Sequence, residues 1–146
     1  MVTGVPGLEE TAVKERGYRR CLAGHGLEME PGQVQPGFYR YEESYRAAGY
    51  ILKLFQPDAI LAVNDLAAIA ALNCALDMGL RVPEDLAVIG FGNSETAAFT
   101  SPGLTTVEQH KAYCGQRGAQ KLIDLLEGKR PVSEMVETEL VLRGSV

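Results

Sequence analysis

The stretch Ala59-Ile-Leu-Ala-Val-Asn-Asp65 decides the fold, together with a second apolar run, Leu86-Ala-Val-Ile-Gly-Phe91. Each run is short and continuously apolar, which is typical of a strand that is covered on both faces of a sheet. Between them, residues 66–78 have the length and apolar content of a helix, and Gly79 ends it. The order strand, helix, strand predicts two parallel strands joined by a crossover helix.

The same alternation continues upstream of this unit. The spacing of apolar residues predicts helices over 8–23 and 42–55, with an extended run from Gln33 to Tyr39 between them. We therefore predict an α/β fold, a parallel sheet with helices on both faces. Downstream the pattern changes, and it predicts a loop over 92–103, an extended piece over 104–107, a helix over 113–127 and a final strand over 135–142.

Length and composition limit the possible classes of function. With 146 residues, of which 46% are hydrophobic and 23% charged, the chain has the composition of one globular domain. Its net charge of -5 argues against nucleic-acid binding by this chain alone. No apolar run approaches the ~20 residues of a membrane-spanning helix, so we predict no membrane partner. Three cysteines without a Cys-x-x-Cys pair favour neither zinc nor disulfides, and they predict a cytoplasmic setting.

Candidate binding residues follow the two apolar strands, because ligands of parallel sheets collect at the carboxyl ends of the strands. Asn64 and Asp65 lie at the first of these ends, just before a helix. One of them suffices to cap the helix, which leaves the other free to face a ligand. Since an amide both donates and accepts hydrogen bonds, we predict that Asn64 contacts the ligand and that Asp65 is the helix cap beside the site.

The second strand ends in Gly90-Phe91-Gly92-Asn93, which resembles the start of a dinucleotide-binding turn. Glu95 stands where that motif has its third glycine, and Pro102 limits any helix that follows, so we exclude a nicotinamide or flavin site. The two histidines lack partners at metal-ligand or catalytic spacing, and no nucleophile elbow or phosphate loop is present. The sequence therefore predicts a protein that is not an enzyme and has no cofactor or metal site.

Several segments in series resemble the lactose, galactose and purine repressor family, the LacI/GalR-type transcriptional regulators. Each motif is weak alone, but the six follow one another in the family's order and spacing, and together they cover nearly the whole chain. The segments are Arg16-Gly-Tyr18, Val63-Asn-Asp-Leu-Ala-Ala-Ile-Ala-Ala-Leu72, Met78-Gly-Leu-Arg-Val-Pro-Glu-Asp-Leu-Ala-Val-Ile-Gly-Phe91, Pro102-Gly-Leu-Thr-Thr-Val107, the helix 115–128 and Glu139-Leu-Val-Leu-Arg-Gly-Ser145.

The resemblance implies the effector-binding part of a bacterial transcriptional regulator. In the family, a helix-turn-helix head precedes a two-lobed domain that is similar to type I periplasmic sugar-binding proteins. By analogy, residues 1–107 form most of the C-terminal lobe, which is incomplete here. Residues 108–131 form a crossover segment and a helix of the otherwise missing N-terminal lobe, and 132–146 contain the closing strand. The DNA-binding head is absent from this chain, so operator DNA is expected as a partner only through that missing head.

The resemblance also implies contacts with a small-molecule effector, such as a sugar or a related metabolite. Asn64 matches an asparagine of the family's pocket, and Tyr39 matches an aromatic residue that can stack on the effector. Lys14 stands where the family usually has arginine, which keeps the charge but loses the two-pronged geometry. Gly92 replaces an aspartate of many members, and Asn93 beside it partly substitutes for that side chain. Loss of the carboxylate weakens a simple-sugar assignment, so the ligand class stays open.

A homodimer is the other implied partner. In the family, the helix after the Asn-Asp pair and the loop after the Gly-Phe strand meet their copies across a two-fold axis. The helix is apolar nearly all round here, which predicts a second buried face, either against a second copy or under another part of the same lobe. The residues predicted at the dimer interface are Ala68, Ile69, Leu72, Phe99 and Thr100.

Two alternative functions remain at this point. The first is an exported solute-binding protein of the same fold, which captures a sugar outside the cytoplasm and delivers it to a transporter. The second is a stand-alone oligomerising fragment without a competent cleft. The unpaired cysteines and the segment 102–107 favour the regulator over the exported protein.

Overall fold

The computed structural model describes all residues from Met1 to Val146. Four helices account for most of its regular structure, and two short 3-10 turns lie at Pro31–Gln33 and Glu95–Ala98. The helices are α1 (Glu9–Gly24), α2 (Tyr41–Phe55), α3 (Asp65–Asp77) and α4 (Lys111–Leu126), and the strands are β1 (Val2–Thr3), β2 (Gln35–Pro36), β3 (Ala59–Leu61), β4 (Ala87–Ile89), β5 (Thr106–Glu108) and β6 (Glu139–Val141). None of the helices is long and apolar enough to cross a lipid bilayer.

The six strands form one open sheet in the order β2-β1-β3-β4-β5-β6. Strand β1 pairs with β2, and β3 pairs with β4, both in parallel. Parallel bridges from Val2 to Ala62 and from Ile89 to Thr105 join these pairs to each other and to β5. Only β6 runs antiparallel, along the outer edge of β5. The predicted parallel sheet is therefore confirmed for five strands, with an antiparallel strand at one edge.

The order of the strands places helices on both faces of the sheet. Helices α2 and α3 pack against each other and against the sheet on one face. The chain moves from β1 to β2 in the direction opposite to its moves from β2 to β3 and from β3 to β4. Because such crossovers are right-handed, α1 lies on the other face. The carboxyl ends of β1 and β3 therefore form the point where the winding of the sheet reverses.

The core lies between the sheet and the layer formed by α2 and α3. Its largest fully buried side chains come from both layers: Ile51 and Leu72 from the helices, and Ile60, Val88 and Leu104 from the strands and their flanks. Each such side chain contributes about 1.5–3 kcal/mol when it is removed from water. The close approach of α2 to α3 depends on small residues, since a Cβ atom on Gly49 would lie 3.3 Å from Cys74 Sγ.

The packing of α3 contradicts the prediction that Ala68 and Leu72 lie at a dimer interface. Ala68 and Leu72 are 0% and 1% exposed, and both belong to the chain's own core. They face the sheet, where the absence of a side chain at Gly90 makes room for Ala68. The apolar character of α3 is thus explained mainly by burial within the same lobe. Ile69 is half-buried, Thr100 is half-buried, and Phe99 is 79% exposed, so these three remain available to a partner.

The helices lie within two residues of their predicted bounds, whereas the strands differ more. The extended run predicted from Gln33 to Tyr39 contains only β2, because the backbone turns at Phe38 and Tyr39 with φ of 54° and 58°. The final strand predicted over 135–142 shrinks to β6, which has a neighbour on one side only. The sequence pattern does not predict strand β1, because the strand contains only two residues, Val2 and Thr3.

The chain end is held between β4 and β5. The hydroxyl of Ser145, which is fully buried, donates to the carbonyl oxygen of Val88 at 2.6 Å and accepts from the backbone N–H of Thr105 at 2.8 Å. The N–H of Val88 donates to the carbonyl oxygen of Ser145 at 2.8 Å. These bonds satisfy polar groups of the backbone between the two strands.

Candidate functional site

The residues that lie at the carboxyl ends of the strands come together where the sheet reverses its winding. Tyr39 follows β2, Asn64 follows β3, and Gly92 and Asn93 follow β4. Lys14 reaches the same edge from α1, since its Nζ lies 3.2 Å from the carbonyl oxygen of Val63. All five positions predicted to contact an effector therefore lie along one edge of the sheet. Whether they contact an effector stays a prediction.

Asn64, rather than Asp65, caps α3. Its backbone is extended (φ -151°, ψ 174°), and its Oδ1 accepts the N–H of Ala67 at 2.9 Å, as in an N-cap. The prediction that Asp65 caps the helix is wrong, because Asp65 is already the first residue of the helix. The Nδ2 group of Asn64 makes no hydrogen bond within the chain. One half of the amide is therefore used in folding, and the other half remains free to donate.

Asp65 instead connects the end of β3 to the loop after β4 and to the first residue of β5. It is 3% exposed, and its carboxylate accepts the backbone N–H of Ser94 at 2.5 Å and the hydroxyl of Thr106. Ser94 belongs to the loop after β4, and Thr106 opens β5. A buried carboxylate is stable only when its oxygens are hydrogen-bonded, and here both are. Asp65 thus holds the edge in shape and offers no oxygen to a ligand.

Lys14 lies over the junction of β3 and β4. Its ammonium group stands 4.4 Å from the ring centroid of Phe91, within the range of a cation–π contact. It also donates to Glu10 Oε1 at 2.7 Å. The side chain of Lys14 is 17% exposed, whereas that of Glu10 is 63% exposed, so the carboxylate lies on the solvent side of the pair. The charge at this position is therefore retained close to the edge of the sheet.

Tyr39 packs against the backbone at the end of β1. A side chain at Gly4 would collide with the ring of Tyr39, so the glycine makes this close approach possible. The phenol oxygen lies 3.3 Å from the hydroxyl oxygen of Thr11 on α1. The ring is half-buried and touches the core, which fixes its orientation. One face of the aromatic ring is thus used in packing.

Gly92 and Asn93 shape the loop after β4 by different means. Gly92 has φ of +126°, a conformation that favours glycine, and its carbonyl oxygen accepts Lys111 Nζ at 2.7 Å. The side chain of Asn93 is already engaged at both ends: Nδ2 donates to Glu108 Oε2 and Oδ1 accepts Arg143 Nη2, each at 2.8 Å. Asn93 is therefore better placed to position its two charged neighbours than to accept hydroxyl protons from a sugar.

The structure adds three charged residues that the sequence did not single out. Lys111 opens α4, Glu108 ends β5, and Arg143 follows β6. The amide of Asn93 and the backbone N–H of His110 bond to Glu108 and lower the pKa of its carboxyl group. A cavity at the edge is lined by Gly92, Asn93, Glu108, His110, Lys111, Ala112 and Tyr113. The sequence signals for these residues were weak: Glu108 and Lys111 follow the extended piece predicted over 104–107, and Arg143 lies within the segment 139–145 of the family resemblance.

No group of three or more His, Cys, Asp or Glu side chains stands close enough together to hold a metal ion. Cys74 is buried, and Cys21 and Cys114 are exposed without a disulfide partner. The polar groups at the edge are instead donors and charged groups arranged around a reversal of the sheet. In parallel sheets, the edge at the carboxyl ends of the strands is the usual place for a ligand.

The whole chain, residues 1–146, matches the family of periplasmic binding protein-like domains, and it belongs to that family. The HTH-type transcriptional repressor PurR of Pasteurella multocida is 35% identical over 144 residues, which cover 95% of this chain and 43% of that protein. The HTH-type transcriptional repressor CytR of Escherichia coli K12 is 34% identical over 133 residues, 89% of this chain and 39% of that protein. The chain thus spans about two fifths of the length of these relatives.

Solved structures give the same result. The transcriptional regulator CelR in its cellobiose complex has a TM-score of 0.91 and 32% identity, and the match covers 99% of this chain and 45% of that one. The transcriptional repressor ascG of Escherichia coli has a TM-score of 0.93 and 26% identity, over 99% of this chain and 54% of that one. The resemblance to LacI/GalR-type regulators is therefore confirmed. The relatives are repressors, which favours a regulator over an exported solute-binding protein.

Proposed function

We propose that this chain is the effector-binding and dimerisation part of a bacterial LacI-type transcriptional regulator, in which a small molecule controls operator binding. The observation that supports it most is the meeting of Asn64, Lys14 and the loop after β4 at the reversal of the sheet. Asn64 has a free Nδ2 donor there, and Asp65 fixes the loop beside it. The similarity to PurR, CytR and CelR supports the same function.

The mechanism requires that the effector binds one arrangement of the domain more tightly than another. Only such a difference in affinity can shift the protein between operator-binding states. Asp65 provides a physical connection for this shift, since it bonds to Ser94 next to the Glu95–Ala98 turn and to Thr106 in β5. A ligand that moves the end of β3 relative to β4 must strain these bonds. The turn leads directly to the exposed Phe99.

Helix α4 supports the proposed division of the chain into parts of two lobes. None of its residues is buried, and its apolar side chains Leu122 and Leu126 are 59% and 81% exposed. The helix nevertheless has an apolar and a polar side, as expected for a helix that covers a sheet. We assign residues 1–107 to one lobe, 108–131 to a crossover and helix of a second lobe, and 132–146 to the closing strand. The second lobe and the DNA-binding head are assigned to chain outside these residues.

The proposed partners are a small-molecule effector, a second copy of the chain and, through the head, operator DNA. The proposal includes no catalytic step and no cofactor, and it places the protein in the cytoplasm. The three cysteines without a disulfide partner are compatible with that setting.

The complete native reading frame tests this proposal. Sequencing the DNA upstream of the Met1 codon is expected to reveal a basic helix-turn-helix segment followed by the remainder of the two-lobed domain. A secretion signal in place of the helix-turn-helix segment would contradict the proposal and indicate solute capture outside the cytoplasm.

A further inference from the structure

We infer that the edge of the sheet at the carboxyl ends of its strands binds a small molecule with an anionic group, a phosphate or a carboxylate. We further infer that Lys111 is the residue that selects this group. This inference rests on the proposed function, because it names the class of ligand for the same site. The inference follows from the hydrogen-bond donors along this edge that the folded chain leaves unused.

Each carboxylate at the edge is already engaged by hydrogen-bond donors of the chain. Asp65 is buried and accepts hydrogen bonds at both oxygens. Glu108 accepts Asn93 Nδ2 at Oε2 and the backbone N–H of His110 at Oε1, at 2.8 and 2.6 Å. Glu10 is turned toward solvent and is bonded to Lys14. A neutral polyol needs acceptors for its hydroxyl protons, and unpaired hydroxyl groups in a binding site are costly.

The donors at the edge are only partly used. An ammonium group has three N–H bonds, and Lys111 spends one of them on the carbonyl oxygen of Gly92. Lys111 is in direct contact with no carboxylate: Asp65 also approaches Gly92, but its oxygens are bonded to Ser94 and Thr106. Asn64 retains its Nδ2 donor, and Lys14 retains one N–H beyond its bonds to Glu10 and Val63. Hydrogen bonds from charged donors to anionic oxygens are about twice as strong as neutral ones.

The guanidinium group of Arg143 adds to the positive charge of this edge. It donates to the carbonyl oxygen of Leu104 and to Oδ1 of Asn93, at 2.7 and 2.8 Å, and pairs with no carboxylate. Both of its contacts are to uncharged oxygens. The charged side chains that line the cavity are Lys111 and Glu108, and the Glu108 carboxylate is held by Asn93 and by the backbone N–H of His110.

Gly92 leaves open the space that the ammonium group of Lys111 occupies. A Cβ atom built on Gly92 would lie 2.8 Å from Lys111 Nζ, which is closer than carbon and nitrogen approach in real proteins. The ammonium group therefore occupies the space that any side chain at position 92 would take. Gly92 has no side chain at this point of the loop, and the cationic end of Lys111 from α4 fills the space instead.

The test is a ligand titration of the 146-residue chain, followed by amide NMR signals at constant ionic strength. The probes are inorganic phosphate, acetate, and the matched pair ribose 5-phosphate and ribose. Phosphate and acetate separate the two sources of the anionic group. The variants are Lys111→Gln and the control Lys53→Gln, which makes the same change in net charge at an exposed position near the end of α2, at the opposite edge of the sheet.

We expect saturable shifts of the signals of Gly92, Asn93 and Lys111 with at least one anion, and with ribose 5-phosphate much more than with ribose. Lys111→Gln should weaken this binding about tenfold, whereas Lys53→Gln should leave it unchanged. Equal binding of ribose and ribose 5-phosphate, equal effects of the two variants, or no shift with any anion would each overturn the inference. None of these results decides the proposed function, which is judged by DNA binding of the complete protein and does not depend on the charge of the effector.

Discussion

At the residue scale, one half of the Asn64 amide is used in folding and the other half is free for the proposed binding. Its Oδ1 caps α3, and its Nδ2 is free at the edge of the sheet. Aspartate is as good an N-cap as asparagine, but it cannot donate a hydrogen bond when ionised. Substitutions at this position can therefore separate the two roles, although both belong to one side chain.

We expect Asn64→Asp to leave the free energy of unfolding within about 0.5 kcal/mol of the unchanged protein and to abolish effector binding. Asn64→Ala should also abolish binding, and in addition lower the free energy of unfolding by about 1 kcal/mol through loss of the cap. Urea denaturation measures the stability, and calorimetry measures the affinity. Unchanged affinity in Asn64→Asp would remove Asn64 from the binding site.

Which of Asn64 and Asp65 caps α3 could not be predicted from the local sequence. Both residue types are favoured as caps, so the local sequence cannot choose between them. The choice is made by Thr106 and Ser94, which lie 41 and 29 positions further along the chain and bond to Asp65. The same holds for Lys111, which reaches Gly92 across 19 positions. Bonds between distant segments carry no local signal.

At the element scale, α3 is a core helix with one exposed stripe. Leu72 is 1% exposed, whereas Leu76 on the same helix is 39% exposed. We expect Leu72→Ala to lower the free energy of unfolding by about 2–5 kcal/mol, because it leaves a cavity under the sheet. Leu76→Ala is the matched control, and its cost should stay below about 1 kcal/mol. Similar costs in the two variants, measured by urea denaturation, would contradict the placement of Leu72 in the core.

The segment after α4 is attached to that helix by a carboxylate. Glu134 accepts hydrogen bonds from Arg117 Nη2 at 2.7 Å and from the phenol group of Tyr113 at 3.0 Å. Arg117 and Tyr113 together lower the pKa of Glu134 from its ordinary 4.5 to about 2. A lowered pKa in the folded chain means that the attachment stabilises the fold above the ordinary value and is lost as the pH falls from 4.5 toward 2.

We therefore expect the backbone order parameters of residues 132–138, measured by 15N relaxation, to fall as the pH falls below about 4.5. In Glu134→Gln the order parameters should be low at every pH, since no carboxylate remains to titrate. An equal fall in both proteins would show that another group controls the segment.

At the scale of the whole molecule, the fold followed from sequence pattern more completely than the site did. Two continuous apolar strands and four helical patterns sufficed for the parallel sheet and its helices, since each pattern is local. The antiparallel direction of β6 and the burial of Ala68 and Leu72 by their own lobe depended on contacts between segments. The predicted dimer surface is accordingly reduced to Ile69, Phe99 and Thr100.

This reduced surface leads to a prediction about assembly. Half-buried Ile69 lies one turn along α3 from Leu66, which is 44% exposed, and Phe99 in the loop after β4 is 79% exposed. We expect the chain to be a dimer in solution and Ile69→Glu to convert it to a monomer, because a buried unpaired charge is costly at an interface. Leu54→Glu, at a 61% exposed position of α2, should leave the dimer intact. Light scattering after gel filtration measures the mass, and an unchanged dimer in Ile69→Glu would exclude this surface.

The most direct test of the proposed regulator is the affinity of the complete protein, expressed from its native reading frame, for DNA from its own promoter. Fluorescence anisotropy measures this affinity with and without a fraction of cellular metabolites, for the unchanged protein and for Asn64→Asp. We predict that a small molecule changes the DNA affinity of the unchanged protein and that Asn64→Asp binds DNA but no longer responds. DNA binding that no metabolite changes, or a response that persists in Asn64→Asp, would contradict the assignment of this edge as the effector site.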